Sequence, residues 1–321
     1  MKKTMIVIVI VIFTMFTIIV AKEFDKLQNT TLSIGLKIKL FSNGSEKQIR
    51  EYLESPNSTV GMNIYYTLIE EERHDILKML FKDYKLDPNY FAQYKGDAPL
   101  LYAAAELNRS AVEILLKYGA DVNYSNQYGD TALILASQIN WIIAPHEKFV
   151  SRDIVKLLVK SGADINAIND SEWTAIEGAI DSDDIKKLDF LVDNGGDIHH
   201  LDSNGSSYLY YCNTLKCIEY LLKHGLDINQ VNRKGNSLLH SSVLIPSNNT
   251  DMVKKLIEKG ADLCHRDNDG NNILRYVEEG DLNPHLHKDN PDFYSKKLVE
   301  HRKTKVYEYL KKEYDKECRN Q

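Results

Sequence analysis

The residues of this chain whose types and spacing could carry chemistry are few. His285, His287 and Asp289 alternate along a short polar segment, and side chains of these types bind zinc. No cysteine and no further histidine pair stands near them in the sequence, so the tract is only a compositional hint of a metal site. A polar loop explains the same composition. We predict that the chain binds neither a metal ion nor any other cofactor.

The four cysteines are the other chemically reactive group. Cys212 and Cys217 are expected to face inward as small apolar side chains, Cys264 lies in a turn and Cys318 lies in the C-terminal tail. The spacing of Cys212 and Cys217 matches no metal-binding motif. The sequence therefore predicts no disulfide framework, with Cys212 and Cys217 as buried free thiols.

Catalytic motifs are absent from the sequence. It contains no glycine-rich phosphate loop, no nucleophile elbow and no paired catalytic histidine and aspartate motif. The chain is therefore predicted not to be an enzyme. An enzyme whose site lies in residues 280–295 is the least favoured alternative, because the same motifs are missing.

Short helix pairs must position most of the other residues. Between Gly96 and Tyr128, one helical pattern runs from Pro99 to about Glu106 and a second from Ser110 to Tyr118. Proline suits the first turn of a helix, and Gly119 suits the left-handed residue that follows a helix end. Helices this short are marginal alone, so the unit needs neighbours on both sides.

Two sequence markers recur with the same spacings of 43, 33, 30 and 35 residues over their shared span. This agreement establishes an internal repeat of about 33 residues. The aspartates of the recurring turn are Asp87, Asp121, Asp164, Asp197, Asp227 and Asp262. The second marker, mostly of helix N-cap types, is Asn63, Ala98, Thr131, Thr174, Ser207, Ser237 and Asn272.

These motifs resemble those of the ankyrin-repeat family. The match is carried by Ala-Pro-Leu-Leu at 98–101 and Gly-Ala-Asp-Val-Asn at 119–123, with related sequences at 131–133, 162–166 and 260–262. The resemblance implies an all-α solenoid of stacked helix-turn-helix units joined by hairpin-like turns. It also implies a non-catalytic protein–protein interaction module.

The resemblance implies that a protein partner is bound by the turns and by the concave face of the first helices. Large rigid aromatic residues dominate interface energies, so Trp173, Tyr124 and Tyr128 are the predicted anchors. Packing of Trp173 against the adjacent turn is the alternative. The residues that the repeat register places on this surface are Tyr124, Gln127, Tyr128, Asn169, Trp173, His200, Asn232, Arg233 and Asp267.

The resemblance also divides the chain. Residues 61–279 hold about six repeats, and residues 22–60 are expected to form a degenerate N-terminal capping repeat. Residues 280–321 are expected to form an irregular segment and a charged C-terminal capping helix. About ten extra residues lie within 139–151, where a tolerated surface loop and a binding loop around Trp141 are both open.

Residues 1–21 have the pattern of a signal peptide or signal anchor. Lys2 and Lys3 precede an uncharged run at 4–21. Cleavage after Ala21 would release a periplasmic or secreted protein. Retention would leave a single-pass membrane protein with its repeats outside the cytosol. A structural cell-envelope protein tethered by residues 4–21 is the alternative function.

Charge and composition narrow the classes of partner. The chain has 40 Lys and Arg against 46 Asp and Glu, a formal net charge of −6. This balance argues against a nucleic-acid partner, which requires a basic stripe. A hydrophobic content of 43%, with only 7 Pro, argues against general disorder. We predict a monomer that binds protein, and binds membrane only through residues 4–21 if these are retained.

Overall fold

The computed structural model describes residues 35–55, 58, 60–89, 97–138, 145–243, 250–279 and 296–318. Within these ranges the regular structure is helical, and β-type pairing is limited to isolated antiparallel bridges. The predicted all-α class is therefore confirmed. The bridges join Leu201 to Ser207, Val231 to Ser237 and Arg266 to Asn272.

The described helices fall into two structural units, one up to Asn126 and one from Gln127 onward. The first unit contains α1 (35–43), α2 (Glu46–Leu53), α3 (Met62–Glu70), α4 (His74–Asp83), α5 (Pro99–Ala105) and α6 (Arg109–Lys117). The helices from Ala132 to Asp193 are α7 (Ala132–Ser137), α8 (Pro145–Lys160), α9 (Ala175–Asp181) and α10 (Ile185–Asp193). After a 3-10 helix (Tyr208–Tyr211) follow α11 (Leu215–Lys223), α12 (Leu238–Ser242), α13 (Thr250–Glu258), α14 (Ile273–Glu279) and α15 (Lys296–Glu317).

The helix pair α5–α6 shows why these sequences form the repeat. Pro99 lies at the start of α5, where its missing amide hydrogen is not needed. Asn108 caps α6 by accepting from the amide of Ala111 at 3.0 Å. Gly119 ends the pair with a φ of +92°, as predicted. Leu115 of α6 is buried, but Leu116, which the sequence also placed on the inward face, is only half-buried.

Side-chain amides link successive repeats. Asn166 donates to the carbonyl of Gly195 at 3.1 Å and accepts from the amide of Asp197 at 2.8 Å. Asn229 and Asn89 make the same pair of bonds to the repeats that follow them. The asparagine two residues after the turn aspartate therefore satisfies backbone groups at the end of the next repeat's helix pair.

The predicted N-caps are confirmed in some repeats and wrong in another. Thr131 and Thr174 each accept from the amide three residues later. Asn63 lies inside α3, whose N-cap is Gly61, so its prediction as a cap is wrong. The hydroxyl of Ser237 hydrogen-bonds Nδ1 of the buried His240 at 2.9 Å instead of capping the helix backbone.

Residues 35–53 form the two predicted helices. The guanidinium of Arg73 donates to the carbonyls of Phe41, Ser42 and Gly44 at 3.2, 2.8 and 3.1 Å. It thereby satisfies carbonyls at the end of α1 that have no partner within the helix. The capping role of this region stays a prediction.

The extra residues at 139–151 do not all form a loop. Residues 139–144, which include Trp141, lie outside the described residues. From Pro145 the chain already belongs to α8, which has 16 residues. Ser151 is buried there and donates to the carbonyl of Ala136 at 2.7 Å. The insertion therefore lengthens a helix, which the loop prediction missed because insertions were placed in turns.

The cysteine prediction is wrong, because the structure contains two disulfides. Cys212 and Cys217 are bonded with 5.6 Å between their Cα atoms, and Cys264 and Cys318 with 5.5 Å. The first pair closes a shortened connection between the 3-10 helix and α11. Cys264 occupies the position that Asn166 has in its own repeat, and helix α15 brings Cys318 to it across 54 residues.

Two features of the sequence lie outside the described residues. None of the described helices is long and apolar enough to cross a membrane, and residues 4–21 lie outside them. His285, His287 and Asp289 also lie outside the described residues. Among the residues that are described, no group of three His, Cys, Asp or Glu is arranged to hold a metal ion.

Candidate protein-binding surface

The hairpins of the second unit are shaped by one side chain each. Asn169 accepts hydrogen bonds from the amides two and four residues later, at 3.0 and 2.8 Å. Asp202, Asn232 and Asp267 make the same two bonds in their own hairpins. A short polar side chain that bonds its own backbone is typical of a tight turn. These four residues therefore fix the shape of the hairpins.

Consecutive hairpin tips are joined to one another by hydrogen bonds from a backbone amide of the later hairpin. The amide of Ser203 donates to the carboxylate of Glu172 at 2.7 Å, and at the other three junctions the acceptor is a backbone carbonyl. The donor and acceptor pairs are Asp170 and Tyr128 (2.9 Å), Arg233 and Asn204 (2.8 Å), and Asn268 and Lys234 (3.0 Å). The tips of the second unit, which we call the hairpin row (residues 127–130, 167–173, 200–207, 230–237 and 265–271), therefore form a connected surface.

The predicted binding residues differ in their exposure. Tyr128 is 61% exposed, and Gln127 and Arg233 are also exposed. The half-buried ones are Tyr124 in the first unit and Asn169, Trp173, His200 and Asn232 in the second. Asp267 is buried.

Several of the half-buried and buried residues have structural contacts. Asp267 accepts from the hydroxyl of Tyr276 at 2.6 Å, in addition to its two hairpin bonds. The ring of His200 lies 6.1 Å from that of Tyr208, centroid to centroid. The backbone amide of Trp173 bonds Asn169. The role of these residues in binding stays a prediction, but their polar groups already contribute to the fold.

An apolar series on the hairpin row was missed by sequence reasoning. Ile168, Leu201 and Val231 are 48%, 43% and 40% exposed. Each directly precedes the residue that shapes its hairpin, so the three occupy the same position in successive repeats. This register could have identified them from the sequence. We call these three residues the apolar series.

A buried carboxylate beside the hairpin row was also missed. Glu177, in the first turn of α9, is 8% exposed. Burial first, and then the carboxylates of Asp202, Asp181 and Glu172, together raise its pKa to about 7. Two repeats away, the corresponding first-helix position holds His240. The sequence signal was therefore a charged residue at a position expected to be inward-facing.

Fold and surface together define an α-helical repeat protein with a connected row of hairpins, and the chain belongs to the ankyrin-repeat family. The family model described as ankyrin repeats (3 copies) matches residues 66–169 and 177–267, which is more than half of the chain. Ankyrin repeats are protein–protein interaction modules and are typically not catalytic. The family assignment from sequence is confirmed.

Curated relatives match parts of this chain. An ankyrin repeat protein of fowlpox virus (strain NVSL) is 33% identical over 125 residues, 39% of this chain and 20% of the relative. An ankyrin repeat protein of Rickettsia bellii (strain RML369-C) is 49% identical over 43 residues, 13% of this chain and 26% of the relative. The chain thus spans about a fifth to a quarter of the length of these relatives.

Solved structures share the fold at low sequence identity. The ankyrin repeat domain of human ASB11 matches with a TM-score of 0.54 and 20% identity, covering 65% of this chain and 89% of that one. The ankyrin repeat domain of Bcl-3, an IkappaB family member, matches at 0.53 and 23%, covering 68% and 94%. A chain from the complex of the Bdellovibrio bacteriovorus endopeptidase Bd0816 with immunity protein Bd3460 matches at 0.50 and 20%, covering 66% and 96%.

Proposed function

We propose that this chain is an exported, non-catalytic ankyrin-repeat module that binds another protein through its hairpin row. The observation that supports this proposal most directly is the bonding of the hairpins. The side chains that shape the hairpins and the amides at the hairpin tips make hydrogen bonds within the protein. Tyr128, Arg233 and the apolar series, in contrast, face solvent.

This arrangement suits binding for three energetic reasons. Hairpins held by their own hydrogen bonds lose little conformational entropy when a partner binds. Tyrosine and arginine are the residue types enriched where binding energy concentrates, and Tyr128 and Arg233 lie at the tips. The apolar series adds area that a partner would remove from water.

A photo-crosslinking residue placed on the hairpin row should capture the partner. p-Benzoylphenylalanine at position 128, and separately at 233, is expected to give a discrete adduct of higher mass on irradiation in the native host. The physical reason is that both positions are exposed on the row. Denaturing gels followed by mass spectrometry would measure the adducts.

The matched control carries the same residue in place of Lys186, which is exposed on the second helix α10 of a repeat in the same unit. We expect no adduct there. Equal adducts at 128, 233 and 186 would indicate non-specific contact. No adduct at either row position, in a chain that folds, would contradict the proposed function.

We further propose export, with residues 4–21 acting as a cleaved signal or a retained anchor. The basic start and the apolar run support this proposal. The disulfides Cys212–Cys217 and Cys264–Cys318 support it independently, because disulfides form and persist mainly in oxidising compartments.

Thiol labelling of the protein from its native host tests this second proposal. Iodoacetamide under denaturing conditions should modify none of the four cysteines before reduction and all four after dithiothreitol. Intact-mass measurement on the same sample reports the N-terminus. A chain beginning at Lys22 indicates release and an intact Met1 indicates an anchor. Four thiols reactive without reductant would contradict export.

A further inference from the structure

We propose that the partner contributes a lysine or arginine side chain that binds a carboxylate cluster, defined as Glu177, Asp202 and Glu172, beside the hairpin row. This inference rests on the proposed binding function and specifies the chemistry of the partner at that contact.

Glu177 lacks the contacts that a buried carboxylate needs. Its backbone amide donates to the hydroxyl of Thr174 at 3.1 Å, but among the described residues its carboxylate has no hydrogen-bond partner. Among the same residues, two side-chain atoms are fully buried and have no hydrogen-bond partner. These are Ser207 Oγ and His240 Nε2, and the carboxylate oxygens of Glu177 are not among them. The carboxylate oxygens of Glu177 therefore keep some contact with solvent.

The other two members of the cluster are held in place by the hairpins. Asp202 accepts from the hydroxyl of Tyr211 at 2.7 Å as well as from two backbone amides. Glu172 accepts from the amide of Ser203 at 2.7 Å. Both carboxylates are thus oriented by neighbours that carry no positive charge, and their negative charges are not neutralised there.

Every charged group that shifts the ionisation of Glu177 is acidic. These groups are Asp202 and Glu172 on the hairpins and Asp181 on α9 itself. From the 3-10 helix, Tyr208 and Tyr211 also interact electrostatically with Glu177. The site therefore lacks a cation, which is the charge complement that a partner could supply.

The cation is better supplied by a side chain than by a metal ion. Among the described residues no three acidic, histidine or cysteine groups are close enough to hold a metal. An arginine or lysine side chain presents several donors and can bond carboxylates that lie too far apart for one metal ion. Charge complementarity thus favours a basic side chain of a protein.

The ionisation of Glu177 should make the affinity of this contact depend on pH. Its pKa of about 7 lies above the ordinary value, so folding favours the protonated form. The associated stability is present at low pH and is lost as pH rises through 7. A bound cation favours the charged form, so its affinity should rise by up to about tenfold between pH 6 and pH 8.

The test uses the full chain and a small probe, acetyl-Gly-Arg-Gly-amide, with the neutral citrulline peptide as its matched control. At pH 8 the arginine peptide should shift backbone amide resonances of α9 and of residues 202–206, and the citrulline peptide should not. Glu177→Gln should weaken binding at least fivefold at pH 8 and remove the dependence on pH. Asp153→Asn, at an exposed carboxylate on α8, should leave binding unchanged.

Equal shifts with both peptides, or unchanged affinity in Glu177→Gln, would overturn this inference. Misfolding should not confuse the result, because the substitution removes a buried charge without changing the shape of the side chain. A different result would contradict the proposed binding function itself. Adducts at 128 and 233 that persist equally in Glu177→Gln would refute only the basic contact, whereas absence of adducts in the native sequence would refute the binding module.

Discussion

Leu115→Ala should lower the free energy of unfolding of the first unit by about 2–5 kcal/mol. Leu115 is 0% exposed in α6, which packs against α4 and α5. The substitution removes buried apolar area and leaves a cavity that tightly packed helices close only in part. Denaturant unfolding followed by circular dichroism would measure the loss.

Leu116→Ala is the matched control, because the neighbouring leucine of the same helix is half-buried. Its cost should be clearly smaller. Repeats contact mainly their neighbours, so hydrogen exchange in Leu115→Ala should increase most in α3 to α6. Equal losses in the two variants, or exchange raised uniformly through both units, would argue against a packed repeat stack.

Asp184→Ala should destabilise the second unit by about 3–5 kcal/mol, because it breaks a buried ion pair and leaves one charge without its partner. The side chain of Asp184 is 3% exposed, and Oδ2 accepts from Nε of Arg152 at 2.8 Å. The other oxygen caps α10 by accepting from the amide of Lys187 at 3.2 Å. Thermal and denaturant unfolding would measure the effect.

The surroundings of Asp184 explain why its loss should be costly. The ammonium of Lys187 is fully buried and donates to the carbonyl of Ser137 at 2.9 Å, at the end of α7. Burial lowers the pKa of Lys187 to about 8, and the charge of Asp184 opposes this shift. Removing Asp184 therefore leaves two cations, on Lys187 and Arg152, with less compensation.

Two further variants separate the contribution of the Asp184 charge to stability from that of its N-cap hydrogen bond. Asp184→Asn keeps a side-chain acceptor for the start of α10 and should cost less than Asp184→Ala. Asp153→Ala removes an exposed aspartate from α8 and should change stability by less than about 0.5 kcal/mol. A loss for Asp184→Ala as small as that for Asp153→Ala would show that the ion pair contributes little.

The repeat register and several helix ends could be predicted from the sequence, because they depend on local chemistry. Pro99, Thr131, Thr174 and Gly119 act through backbone groups only a few residues away. Apolar spacing located α4, α6 and α15 for the same reason. The residues of the hairpin row were likewise placed by their number in the repeat.

The distinction between scaffold and exposed residues on that row depended on tertiary contacts. Asn169, Asn232 and Asp267 were predicted for binding by register, and the structure shows that their acceptors shape the hairpins. Ile168 directly precedes Asn169 in the same hairpin. Its exposure became known only from the structure, in which the hairpins lie side by side. Register locates a residue in the repeat but does not give its hydrogen-bond partners.

Pairings between distant residues could not be predicted from the sequence for a related reason. Cys264 and Cys318 are 54 residues apart, and only the return of α15 brings them together. Lys187 reaches the carbonyl of Ser137 across 50 residues, and the pKa of Glu177 is raised by burial and by the carboxylate of Asp202 from the next hairpin. The sequence by itself determined the family, the repeat and several helix ends, because those follow from interactions within one repeat. The tertiary structure decided which thiols pair and which charges meet, because burial and distance between repeats exist only once the repeats have stacked.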